Sequence, residues 1–163
     1  MVIKLLLKKM PELEVVLGMF ETFAHKADIG IRGKGQTIQE AFMECAKALA
    51  SVMANVRLIE PKKSHVINSK AKDLESLLIS FLSELLFMKD SKKMLYSKYR
   101  VMVKEIPVAS GALKEFELKA VCFGEKIDPK KHELMTDVKA ATYTELSVKK
   151  EDGQWIAQCI VDV

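Results

Sequence analysis

The sequence has few of the features that mark an exported or disulfide-stabilised protein. It contains three cysteines, Cys45, Cys122 and Cys159, which are far apart in the chain. None has the C-x-x-C spacing of a zinc site or a redox pair, and an odd number cannot all pair within one chain. We therefore expect an intracellular, cytoplasmic protein, with a buried free thiol at Cys45 on the apolar face of a helix.

Long apolar runs and a strong charge bias are also absent. No apolar run approaches the roughly 20 residues that cross a bilayer, so we expect no membrane association. The net charge is +4 from 26 cations and 22 acids, and there is one tryptophan. This mild, scattered charge permits an acidic or RNA-bearing partner without establishing nucleic-acid binding.

Two stretches have the apolar periodicity of amphipathic helices. The first is 37–56, where Thr37 and Glu40 have the spacing of a capping box. The second is 73–89, with Asp73 as the expected N-cap. Each predicted helix is polar on its other side, so each should cover a flat apolar surface.

Segments rich in β-branched and aromatic residues predict that this surface is a sheet. Glu151–Gln154 contains Asp-Gly and predicts a hairpin turn. Because strands fill the second half of the chain, the sequence predicts a single-domain α+β fold, with two amphipathic helices on a mixed or antiparallel sheet. The predicted strands are 19–24, 63–71, 99–108, 113–124, 138–150 and 154–163.

The stretch "AHKADIGIRGKGQT", residues 24–37, combines a histidine, an acid and three glycines directly before the first helix. A phosphate-binding loop is one interpretation, since helix N-termini attract anions. The glycine order is G-x-x-G-x-G, however, and not the G-x-G-x-x-G of a dinucleotide loop. A turn whose glycines adopt positive φ is the alternative that the spacing favours.

Nucleophilic catalysis has no local motif in this sequence, which lacks G-x-S-x-G. His65 falls in a predicted strand and is interpreted as structural. A hydrolase that uses Asp28 and Asp162 stays open, although it would need a general base and a cleft that the sequence does not reveal.

A metal site is the third hypothesis for the acid in this stretch. Asp28 could supply one hard oxygen ligand, and Asp162 is the penultimate residue of a strand that stays apolar to its end. Chain ends usually fray unless a sheet holds them. We expect Val163 to carry the terminal carboxylate, which would repel Asp162 unless a cation or solvent intervenes. From spacing alone, a charged exposed sheet edge remains the favoured alternative.

Four segments in order resemble the archease family. Residues 23–49 are similar to its H-T-A-D-I-G-I opening, glycine-rich segment and first helix. Residues 73–87 are similar to its second helix, residues 124–146 to its D-P-x-x-H and K-A-V-T-Y segment, and residues 155–163 to its terminal strand.

The resemblance implies a non-catalytic protein that activates a GTP-dependent tRNA-splicing RNA ligase. Such a protein would promote guanylylation and multiple turnover of that ligase and would contact RNA only indirectly. An alternative in the same class is a chaperone-like modulator of a tRNA methyltransferase.

The resemblance also implies a site for a divalent metal, formed by Asp28, Asp162 and the main-chain carbonyl of Val163. Oxygen ligands favour Ca²⁺, with Mg²⁺ or Mn²⁺ as alternatives. Four further family-matched positions are candidates for contacting the partner or orienting loops: His25, Glu84, His132 and Lys139.

The resemblance covers residues 19–163, which we predict to form the domain. Residues 1–18 lie outside it and are interpreted as a native extension or a misassigned start. Two departures affect the implied site. Lys26 replaces the usual threonine two residues before Asp28, and Thr144 replaces a frequent histidine.

Overall fold

The computed structural model describes residues 18–109, 111 and 113–163. These residues form two α-helices, a 3-10 turn at Val56–Leu58 and eight strands. The helices are α1 (Ile38–Met53) and α2 (Leu74–Lys92). The strands are β1 (Met19–His25), β2 (Asp28–Gly35), β3 (Lys63–Ala71), β4 (Met94–Pro107), β5 (Lys114–Lys126), β6 (Ala140–Ala141), β7 (Ser147–Glu151) and β8 (Gln154–Asp162).

The first sheet has the order β1-β2-β8-β6, and β7 also pairs with β8. All of its pairs are antiparallel. The end of the chain therefore lies in the middle of a sheet rather than at its edge. This position explains why β8 is apolar almost to its last residue, with Cys159, Ile160 and Val161 buried.

The second sheet has the order β3-β5-β4 and is also antiparallel. The expected α+β fold with two helices is confirmed, but the strands form two sheets where we expected one. Helix α1 packs against β2 and β8 of the first sheet and against β4 of the second. The prediction that α1 has a polar outer side is wrong, because a sheet lies on each side of it.

The burial of α1 extends to two of its acidic residues. Glu40 and Glu44 are both less than a tenth exposed. Glu40 accepts a hydrogen bond from the Gln36 main-chain N–H at 2.6 Å, and Glu44 accepts one from Lys47 at 2.7 Å. The predicted cap is present, since Thr37 Oγ1 accepts from Glu40 N at 3.2 Å.

Helix α2 begins and ends as its sequence indicates. Asp73 accepts a hydrogen bond from Ser76 N at 2.7 Å, which confirms it as the N-cap. Lys93 closes the helix in the left-handed conformation, with φ of 55°. The predicted apolar stripe is buried in the core and includes Leu77, Leu78, Phe81, Leu82 and Leu85.

The glycine-rich stretch is a strand, so the prediction of a positive-φ turn there is wrong. Gly30, Gly33 and Gly35 lie in β2 and have ordinary φ values. A Cβ on Gly33 would lie 2.2 Å from both Ala41 O and Cys45 N of α1. The glycine is needed because the helix backbone approaches the strand directly, not because of a turn or a phosphate.

Two further expectations concern the end of the chain. The predicted strand 138–150 is two short strands, β6 and β7, separated by a loop at 142–146. The Asp-Gly hairpin is confirmed, with Asp152 and Gly153 at φ of 50° and 78°.

None of the helices in the described part of the chain is long and apolar enough to cross a bilayer. Most of the predicted extension, residues 1–17, lies outside the described residues. The boundary between extension and domain therefore stays a prediction.

Candidate functional site

One end of the first sheet brings together several of the predicted site residues. His25 pairs with Asp28 across the two-residue turn between β1 and β2. Ile29 pairs with Val161 in the β2–β8 ladder, so the next position in register places Asp28 opposite Asp162. The two predicted acidic ligands, 134 positions apart in the chain, are thus cross-strand neighbours.

Both acids lie on the face of the sheet that points away from α1. Gly33 faces α1, and side chains alternate along a strand, so Asp28 and Arg32 lie on the opposite face. Arg32 on this face donates a hydrogen bond to Gln158 at 2.8 Å, which is consistent with the assignment. We call Asp28, Asp162 and the main-chain oxygen of Val163 the carboxylate tip.

No cationic side chain in the described ranges pairs with the carboxylate tip. Neither Asp28 nor Asp162 forms a side-chain hydrogen bond or an ion pair with another residue in the described ranges. Lys26 is exposed at the turn, with φ of 53°, and does not pair with Asp28. Lys26, which stands where the resembled family usually has threonine, therefore does not neutralise Asp28.

Lys139 lies directly beside the carboxylate tip through its backbone. Its main-chain N–H donates to Asp162 O at 2.8 Å, and its side chain is exposed. The neighbouring pair is Ala140 with Asp162. Of the four additional candidates, Lys139 and His25 therefore lie at this end of the sheet.

His25 connects the β1–β2 turn to the loop at 142–146. Its Nε2 is 3.4 Å from Glu145 Oε1. Its Nδ1 is buried and has no hydrogen-bond partner among the described residues. Glu145 was not predicted, because nothing in the local sequence shows that this loop folds back over the turn. The loop is held by Ile160, whose main-chain N–H donates to Thr144 O at 3.1 Å.

A buried lysine on α2 supports the strand beside the tip. Lys89 donates to Asp137 at 2.5 Å and to Val138 O at 3.0 Å, just before Lys139. Burial alone would lower the pKa of Lys89, but the hydrogen bonds to Asp137 and Asp90 outweigh it and raise that pKa. Lys89 was missed, although its position four residues after Leu85 places it on the apolar stripe.

His132 belongs to a buried hydrogen-bonded network and not to the surface. Its Nδ1 accepts from Asp128 N at 2.9 Å, so Nε2 carries the proton and donates to Glu125 at 2.9 Å. The side chain is 0% exposed. His132 is thus placed to orient the loop before β6, not to touch a partner.

Glu125 collects the donors of this network. The hydrogen bonds from His132 and then Lys131 hold the pKa of this carboxyl well below its usual range. The main-chain N–H of Glu60 also donates to it, at 2.9 Å. Glu84, the remaining candidate, is exposed on α2, and its side chain forms no hydrogen bond or ion pair with another described residue.

The donors at the carboxylate tip fit a hard divalent cation. Two carboxylates opposite each other repel, and a cation between them removes that cost. Within the described ranges, no group of three or more acidic, histidine or cysteine side chains is arranged to hold a metal. Ca²⁺ typically binds roughly six to eight oxygens. The main-chain oxygen of Val163, together with water or a partner, would complete that coordination shell.

The chain matches known proteins over nearly all of its described length. The Archease protein family model matches residues 20–163. "Protein archease" of Pyrococcus abyssi is 40% identical over 145 residues, which cover 88% of this chain and 98% of that protein. "Protein archease" of Pyrococcus furiosus is 41% identical with the same coverage. The shared name states no reaction.

A solved structure shares the fold as well as the sequence. The solution structure of Methanobacterium thermoautotrophicum protein 1598 is 30% identical, with a TM-score of 0.71, and the match covers 88% of this chain and 98% of that one. The matches to the family model, to curated relatives and to this structure agree, and the chain belongs to the archease family.

Proposed function

We propose that this protein is a non-catalytic accessory protein that activates a GTP-dependent tRNA-splicing RNA ligase by promoting its guanylylation and multiple turnover. The observation that carries the proposal is the carboxylate tip, where Asp28 and Asp162 meet in register without a described counter-cation. Membership of the archease family supports the same conclusion.

The tip has the properties of a group that is presented to a partner. Asp162 is exposed and Asp28 is half-buried, so both are within reach of a second protein. Their backbones are held in the middle of a five-stranded sheet, which makes the position of the acids rigid. A rigid pair of oxygen donors loses little entropy on binding.

The carboxylate tip enters the nucleotide pocket of the ligase, and that pocket itself depends on metal ions. A divalent metal, with Ca²⁺ favoured by the oxygen donors, would be held by Asp28, Asp162 and Val163 and would supply positive charge at the tip. The residues of this chain position those oxygens, and the main-chain N–H of Lys139 holds the backbone of Asp162 by a hydrogen bond to its main-chain oxygen. The transferred guanylyl group stays with the ligase.

The guanylylation step tests the proposal directly. Radiolabel transfer from GTP to the purified cognate ligase is measured alone and with this protein. We expect wild-type protein to accelerate labelling and Asp28→Ala to lose the acceleration. Asp152→Asn is the control, because Asp152 is an acid at a turn at the other end of the same sheet and asparagine tolerates its positive φ.

The same assay separates the alternatives. If wild-type protein leaves ligase labelling unchanged but co-purifies with a tRNA methyltransferase, the partner is wrong. If the protein alone turns over RNA or nucleotide, the hydrolase hypothesis replaces the proposal.

A further inference from the structure

The second sheet has one face in the core and one face free of both helices. Along β5, Leu118, Ala120 and Cys122 are fully buried. Their alternate neighbours lie on the other face, where Lys119 and Phe123 are partly buried and Val121 between them is fully buried. This outer face is distinct from the carboxylate tip, which belongs to the first sheet.

The strand register concentrates cations on that outer face. Lys98 lies opposite Phe123, and Arg100 opposite Val121. Met102 lies opposite Lys119, whose other neighbour is Asn68. Five cationic residues lie on this outer face, and we call them the basic face: Lys70, Lys98, Arg100, Lys104 and Lys119.

The cations of the basic face are not used for internal pairing. None forms an ion pair with another residue in the part of the chain that the structure describes. In contrast, Arg32 and Lys34 on the first sheet both pair with Glu21, at 3.1 and 2.7 Å. The acids of the outer face are Glu115 and Glu117 of β5, so positive charge predominates. A surface with unpaired cations at regular spacing is complementary to a polyanion.

An aromatic ring lies among these cations. The Lys98 ammonium is 6.0 Å from the centre of the Phe123 ring, which is half-buried. Single-stranded nucleic acid binds through phosphates on basic side chains and bases stacked on aromatic rings. Because alternate residues of a strand are roughly 6.8 Å apart, β4 presents its cations along an extended line.

We propose that the basic face binds single-stranded RNA, with Arg100 and Lys119 on its phosphates and Phe123 stacked against a base. Binding here would bring an RNA end to the complex directly, whereas the family resemblance implied only indirect contact. The ring favours RNA over an anionic membrane, since a lipid headgroup offers no base to stack. The inference is independent of ligase activation, since it concerns a different sheet and needs no partner protein.

The test is fluorescence anisotropy of a labelled oligouridylate of about 16 nucleotides with the full chain and no ligase. The face variant is R100Q/K119Q, and the control is K149Q/K150Q, which removes the same charge from exposed positions on β7. We expect the face variant to bind about tenfold more weakly at low salt, and its salt slope to fall by about 1.5. The control should bind within about twofold of wild type.

Phe123→Leu tests the stacking contact, since leucine keeps apolar packing without a ring. We expect a loss of roughly fivefold or more in affinity with an unchanged salt slope. Circular dichroism melts establish that each variant is folded.

Three results would overturn the proposal. The first is that wild type does not bind the oligonucleotide. The second is that both double variants weaken binding equally, which would reduce the effect to net charge. Binding to phosphatidylserine vesicles in place of RNA, with the same loss in R100Q/K119Q, would assign the face to a membrane. None of these results affects the guanylylation test of the carboxylate tip.

Discussion

Asp28 and Asp162 lie opposite each other at the end of the β2–β8 ladder, one position beyond the pair formed by Ile29 and Val161. This relationship joins an acid near the start of the domain to one at the end of the chain. Like charges directly opposite in a sheet are destabilising. The fold retains the pair in spite of that cost, which is the expected trade-off at a functional site.

Replacing Asp28 should change stability in opposite directions with and without metal. In chelator, Asp28→Asn relieves repulsion and should raise the free energy of unfolding by about 0.2–1 kcal/mol. With Ca²⁺ at about 100 times its Kd, wild type should gain about 2.7 kcal/mol, or roughly 5–10 °C in Tm, and the variant should gain little.

Thermal melts in chelator and in Ca²⁺ check this prediction. Asp152→Asn is the matched control, since it removes the same charge at the far turn and should respond to Ca²⁺ as wild type does. A wild-type Tm that ignores Ca²⁺, Mg²⁺ and Mn²⁺ alike would contradict a metal site at the tip.

Removing the buried ammonium of Lys89 should destabilise the segment that precedes Lys139. Lys89→Met keeps the apolar stem but leaves Val138 O without its side-chain donor. We expect a loss of about 1–3 kcal/mol in urea unfolding. Lys92→Met at the exposed end of the same helix is the control and should change stability by about 0.5 kcal/mol at most.

The Glu125 network should make stability depend on pH in the acid range. The pKa of Glu125 is lower in the folded protein than the ordinary value of 4.5 for a glutamate side chain. The network's contribution is therefore present above about pH 4.5 and is lost as pH falls toward the folded pKa.

Urea unfolding of wild type and Glu125→Gln across this range measures that contribution. The difference between the two proteins should shrink as pH falls, because protonation removes in wild type the charge that the substitution removes in the variant. A difference that stays constant from pH 7 to about pH 3 would show that the carboxylate charge does not contribute.

Gly33 and Gly30 should differ in their tolerance of alanine. A Cβ on Gly33 meets the backbone of α1, whereas one on Gly30 meets the Phe23 ring at 2.1 Å, a side chain on the edge strand β1 that can rotate. We expect Gly33→Ala to cost about 3 kcal/mol or more and Gly30→Ala clearly less. Equal losses in chemical denaturation would indicate that β2 and α1 separate more easily than their packing implies.

Local sequence features predicted both helices and their caps, because capping chemistry involves residues three positions apart. Thr37 with Glu40 and Asp73 with Ser76 are such cases. Strand β2 was missed because glycine is disfavoured in strands, and its reason for being there is the closeness of α1. That reason is tertiary and has no local pattern.

Only some of the site residues could be predicted from the sequence. Asp28 and Asp162 were identified through motifs that resemble a family, and the register places them together. Glu145 was missed because its contact with His25 depends on how the loop at 142–146 folds back. The sequence did not show whether His132 is buried. Its partner Glu125 is seven residues away, and the two side chains meet only because the intervening loop folds back.

Multiple-turnover ligation measures whether the carboxylate tip activates an RNA ligase. The cognate ligase, GTP and a broken RNA are incubated without this protein, with wild type and with Asp162→Ala. We expect many turnovers with wild type and no stimulation with Asp162→Ala, which should melt as a folded protein. Equal stimulation by both proteins, or none by wild type with a ligase that is active alone, would contradict it.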